Sequence, residues 1–185
     1  VMEYLYPTEA ALIAVTSAVL PAHRDEYQFV HPAYDRARTA LDNAHAKNWL
    51  PDWVSERPGR ERLYSRDGLL AVAIYFRIAN GARVSPSEAC RQLTEEIFKK
   101  RIDAEFFAIR DGQSRRKDDG SIESPQLFGP LSAEKIAGWF VTSVEGDKPF
   151  AGFNEGEGVY ILPYAKLAAR IDKLAGIYQP EGSDA

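Results

Sequence analysis

The segment "DGLLAVAIYFRIAN", Asp67 to Asn80, most restricts what this chain can become. Leu69, Leu70, Val72, Ile74, Phe76 and Ile78 cover every face of a helix, and a helix without a polar side has to be surrounded by other structure. The pattern predicts a central helix with partners packed around it. Asn80 and Gly81 supply its stop.

Segments suited to surround it are present. Thr8 stands where a cap would, ahead of Leu12, Val15 and Val19 at helical spacing, and Pro21 ends that helix. Tyr34, Ala37, Leu41 and Ala44 form the stripe of a second helix that starts near Pro32. In "SPSE", Ser85 and Glu88 read as a capping box around Pro86. The stripe that follows runs through Cys90, Leu93 and Ile97, then drifts to Phe98, Ile102, Phe106 and Ile109, which predicts a kink or a further short helix. Ser132 opens another helix with Ile136, Trp139, Phe140 and Val144 inward. Pro163 precedes a last one striped by Tyr164, Leu167, Ile171, Leu174 and Tyr178. "KPFAGF" and "GVYIL" flank the turn-forming "NEGEG" and predict a small β-hairpin over residues 149–162. The expectation is a mainly α fold: a single-domain bundle of six or seven helices over residues 1–178, with a polar tail at 179–185.

Composition agrees with one ordinary core: of 185 residues, 45% are apolar and 27% charged. The longest apolar run, Ala10–Leu20, is too short to span a bilayer and has no basic leader, so no membrane role is expected. The single cysteine, Cys90, excludes an internal disulfide, fits a reducing, cytoplasmic setting, and falls on the apolar stripe as a core residue. Fifteen arginines against eight lysines give the chain a bacterial or phage cast.

Charge decides less than its total of −4 suggests. The stretch "WLPDWVSERPGRERLYSRDG", Trp49–Gly68, looks at first like a grip for nucleic acid. Arg57, Arg60, Arg62 and Arg66 are matched there by Asp52, Glu56, Glu61 and Asp67, and phosphate binding needs uncompensated cations. It reads instead as a neutral connector with Trp49 and Trp53 packed beneath it, unless folding separates the signs. A better basic region is Arg91, Lys99, Lys100, Arg101, Arg115, Arg116 and Lys117 with Arg110, a surplus of three charges over residues 91–117. The central helix, "NGARV" and the capped helix after it can also be drawn as a helix-turn-helix.

Arg38 and His45 sit seven apart, two turns of one helix, so their side chains leave it at nearly the same angle. The pair resembles the arginine-six-residues-histidine motif of the HEPN superfamily of helical ribonucleases and nucleotidyltransferase partners. That resemblance implies a metal-independent cleavage of RNA by Arg38 and His45 in a homodimer. Thr39 stands where the family usually places asparagine. The plainer reading is a surface arginine and a half-buried histidine beside Leu41.

His23, Asp25, Glu26 and His31 lack a ligand spacing, and "GFNEGEG" is a turn with two carboxylates where a phosphate loop needs a lysine. No cofactor and no metal is expected. The favoured function is non-catalytic binding of a macromolecule, as an adaptor, inhibitor, immunity or regulatory subunit working through protein contacts, with Phe150, Phe153 and Tyr160 as its candidate face. Nucleic-acid binding by the basic region and RNA cleavage by Arg38 and His45 are the alternatives; oligomeric state is left open.

Overall fold

The computed structural model describes residues 6–16, 32–81, 85–95, 98, 105–111, 115–116, 118–120, 122–123, 127–137 and 158–178. They are mostly helical, with small antiparallel sheets. Among them five α-helices are found: α1 (Thr8–Val15), α2 (Pro32–Ala46), α3 (Arg66–Gly81), α4 (Pro86–Gln92) and α5 (Tyr164–Tyr178). Six or seven helices were expected, and part of the difference is segment type: the apolar run after Phe98 continues as a strand. No described helix is long and apolar enough to cross a membrane. The chain divides into two compact units, Val1–Arg77 with Leu167–Ala185, and Ile78–Lys166.

In the first unit, α1 is buried from Ala10 to Ala14. Its first residue, Thr8, does not cap it. The N-cap position is Pro7, without a side-chain bond, and the Thr8 hydroxyl donates to the Arg62 carbonyl at 3.4 Å. Tyr34, Ala37, Leu41 and Ala44 of α2 are buried as their spacing predicts. Asn48 ends this helix in the left-handed region, φ 52°, where asparagine substitutes for glycine. Trp49 N–H then reaches back to the Ala44 carbonyl at 2.7 Å.

The stretch read as a connector is folded. A 3-10 turn, Asp52–Val54, leads into β2 (Ser55–Glu56), and β2 pairs with β3 (Leu63–Tyr64) in the register Ser55↔Tyr64 and Glu56↔Leu63. On the other side of β3 lies β1 (Tyr6–Pro7), giving the antiparallel order β1-β3-β2. The turn between β2 and β3 carries Pro58 and Gly59, the latter at φ 76°, which a residue without a side chain adopts at no steric cost.

Ser65 caps α3: its hydroxyl accepts from Gly68 N–H at 2.9 Å, and its carbonyl from Leu69 N–H. Every residue from Leu69 to Phe76 is buried, and so is Ile78, as the apolar pattern requires. On α5, Leu167, Ile171, Leu174 and Ala175 are buried, while Tyr178 is half-exposed. Two side chains fasten α5 within the unit. Arg66 pairs with Asp172 and, at 3.0 Å, with Asp67. Arg170 donates to the Ile13 and Thr16 carbonyls at 3.2 and 2.8 Å, satisfying the open carbonyl end of α1.

In the second unit, Phe106 and Ile109 belong to a strand, β4 (Phe106–Asp111). Its neighbours are β7 (Leu127–Leu131) and β8 (Gly158–Leu162), both antiparallel, in the order β7-β4-β8. Of the expected hairpin over 149–162, the second segment is a strand, β8, which lies against β4 with Ile109 opposite Tyr160; 149–157 fall outside the described residues. The stripe drifts at Phe98 because the segment passes from helix to a strand whose buried residues, Phe107 and Ala108, are adjacent. Phe107 stacks on Tyr164 at 6.3 Å. The polar 111–126 segment contains a two-stranded ribbon, β5 (Arg115–Arg116) with β6 (Ile122–Glu123). Ser132 opens a helical turn at 133–137, its hydroxyl accepting from Lys135 N–H at 3.3 Å. Trp139, Phe140 and Val144 fall outside the described residues. Cys90 is half-buried, less enclosed than its stripe implied, beside fully buried Ala89 and Leu93.

Candidate functional site

The residues that matter on α2 stand one position after its core stripe. Arg38, Asp42 and His45 follow Ala37, Leu41 and Ala44, so they share a face turned about 100° from the buried one. That face forms one wall of a half-open concave site of about 710 Å³. The hairpin of β2 and β3 supplies a second wall with Arg57, Arg60, Glu61, Arg62 and Tyr64. Pro7, Thr8 and Glu9, at the junction of β1 and α1, complete it.

This arrangement changes the charge argument. Within Trp49–Gly68 four arginines match four acids, but three of those arginines and only one of those acids, Glu61, line the concavity. Asp52 and Glu56 are exposed elsewhere on the stretch, and Asp67 is held by Arg66. Folding therefore separates part of what composition cancels. With Arg38 added, and with Glu9 and Asp42 counted, the lining holds four guanidinium groups and three carboxylates.

Arg62 is the fixed member. It is half-buried, and its guanidinium donates to the Ser55 hydroxyl at 3.0 Å. Arg38, Arg57 and Arg60 are exposed and make no ion pair among the described residues. Of the four arginines of the stretch, Arg66 is the one in an ion pair among the described residues, with Asp67 and Asp172.

His45 and Tyr64 form the floor. Nε2 of His45 lies 2.8 Å from the hydroxyl of fully buried Tyr64, with their rings tilted at 55°. Burial, helped by the positive charge of Arg62, pushes the His45 imidazole from its usual 6.5 down to about 4. Burial also holds the Tyr64 phenol well above its ordinary value, while Arg62 pulls it the other way. The pair is neutral across the physiological range. With the ring proton on Nδ1, the Tyr64 hydroxyl donates to Nε2.

Arg38 and His45 thus line one site, as their seven-residue spacing predicts. The tryptophans do not line it. Trp49 sits under Lys47, whose Nζ is 4.5 Å from the ring centroid, and Trp53 is half-buried in the 3-10 turn. Lys99, Lys100, Arg101 and Lys117 lie outside the described residues, as do Phe150 and Phe153. Arg91, Arg115 and Arg116 are placed by backbone alone, and Tyr160 is half-buried on β8. His23, Asp25, Glu26 and His31 also fall outside them. Among the described residues no group of three or more histidine, cysteine or carboxylate side chains is placed to hold a metal.

The sequence reading missed Arg57, Arg60, Arg62 and Tyr64 as partners of Arg38 and His45. The signal was there: Pro58–Gly59 between two short segments marks a turn that folds the stretch back on itself. No protein family, curated protein or solved structure matches the chain.

Proposed function

We propose that the chain is a non-catalytic binding protein whose working surface is the arginine-lined concavity and whose ligand carries phosphate. The observation that supports this most is the partial sorting of charge by the β2–β3 hairpin, which brings Arg57, Arg60 and Arg62 opposite Arg38. Guanidinium groups present forked donors that fit phosphate oxygens, and unpaired ones retain all of them for a ligand. Arg62, held by Ser55, gives a prearranged anchor, and the exposed arginines can close on what it holds.

The state of His45 favours binding over cleavage. A general acid or base works best with a pKa near the working pH, and an imidazole at about 4 is a weak base at neutrality. Its Nε2 is also occupied by Tyr64. Arg38 and His45 do line the same site, and RNA cleavage by the two is the less favoured alternative on this reading.

The test is calorimetric titration with pyrophosphate at low salt, on the full chain and on the Arg57→Ala, Arg60→Ala double variant. Each charge-assisted bond contributes roughly 1.5–3 kcal/mol, so the double variant should bind at least tenfold more weakly. Equal affinity of the two proteins would remove the proposal, as would RNA cleavage that disappears in His45→Ala.

A further inference from the structure

Four arginines alone would suit any polyanion, but this site also contains Glu9, Asp42 and Glu61. None of the three carboxylates is in an ion pair among the described residues; both pairs found there belong to Arg66. Ionised carboxylates accept hydrogen bonds and donate none. A ligand made only of phosphates would be drawn by four charges and repelled by three. One that carries both phosphate and O–H or N–H donors satisfies both kinds of lining group.

Size points the same way. The concavity, about 710 Å³, falls within the roughly 300–1,000 Å³ that hold small organic ligands. A continuous strand would instead need a basic track that excludes carboxylates over several phosphates. The commonest small molecules that combine phosphate with paired hydroxyl donors are ribonucleotides, whose ribose hydroxyls a carboxylate takes in many nucleotide sites.

Resting on the phosphate reading above, we infer that the site takes a ribonucleoside phosphate: the arginines hold its phosphates, and the carboxylates accept from its ribose hydroxyls or base amino group. Asp42 on α2 and Glu61 on the hairpin stand on different walls, so acceptors are offered from two sides of the same concavity.

The experiment compares affinities for pyrophosphate, for the four common ribonucleoside diphosphates and for a uridine homopolymer. The proteins are the parent chain and an Asp42→Asn, Glu61→Gln double variant. Both residues are exposed, so the variant should fold, which circular dichroism checks. The best diphosphate is expected to bind at least tenfold tighter than pyrophosphate. In the variant that preference should fall at least tenfold, while pyrophosphate binds as well as before or better. Pyrophosphate binding equal to every diphosphate overturns this inference and leaves the phosphate reading standing. Tighter binding of the homopolymer, residue for residue, overturns it in favour of a strand. Failure of all these ligands to bind ends both.

Discussion

His45 Nε2 and the Tyr64 hydroxyl meet at 2.8 Å across nineteen positions of sequence, joining α2 to β3 at the base of the arginine site. The contact is made by a neutral imidazole, and that gives stability a pH dependence of known sign. His45 is depressed to about 4 in the folded chain, against 6.5 as its ordinary value. Between those values the unfolded chain binds the extra proton, so stability falls as pH drops from 6.5 towards 4 and is fully present above 6.5. With allowance for the water that reaches the half-buried ring, the loss is about 2 kcal/mol. Urea midpoints taken from pH 7 to pH 4 should fall less steeply for His45→Gln than for the parent; parallel profiles would contradict the assignment.

Arg62 is the second cause of that depression. Arg62→Ala should raise the His45 pKa above about 4, yet leave it below 6.5 because burial is the larger cause. Proton NMR of the imidazole through an acid titration reads this directly. A bound phosphate, which offsets the same positive charge, should move His45 in the same direction.

Gly68 and Gly176 are both helical, and substitution at the two should have opposite effects. A Cβ at Gly68 would run into the Val54 carbonyl, a backbone atom that cannot turn aside. Gly68→Ala should cost about 2–3 kcal/mol in chemical denaturation. At Gly176, exposed on α5, a Cβ meets nothing within 4 Å. Gly176→Ala should stabilise by up to about 1 kcal/mol, the difference in helix propensity.

Arg66 and Asp172 should show measurable coupling. The arginine is a quarter exposed, 26%, and also holds Asp67, which fixes its fork better than an isolated surface pair would be fixed. A double-mutant cycle with Arg66→Ala and Asp172→Ala should give about 0.5–1 kcal/mol at low salt, shrinking as salt is added. A coupling near zero at low salt would mean that the pair contributes only geometry.

What could be read in advance follows the range over which each signal acts. The stripes of α2 and α5 and the all-apolar surface of α3 are local repeats, and burial follows them except at Tyr178. "GVYIL" was legible as a strand, but β1, β2 and β3 were not, because with two residues each they are too short to show alternation. β4 was read as helix because its apolar residues continued an earlier helical stripe, and only pairing with β7 and β8 fixes its extended form. The Arg38–His45 half of the site was visible as helical spacing. The hairpin half was discounted by adding up charges along the chain, although which charges meet in space depends on a turn at Pro58–Gly59.

The bonds from Arg170 to the Ile13 and Thr16 carbonyls carry a consequence for synthesis. The arginine that closes this helix is made 157 residues after Ile13 and 154 after Thr16. A nascent chain halted before Leu167 would display α1 without the two bonds from Arg170. The first unit is thus finished only after every residue of the second has already been made.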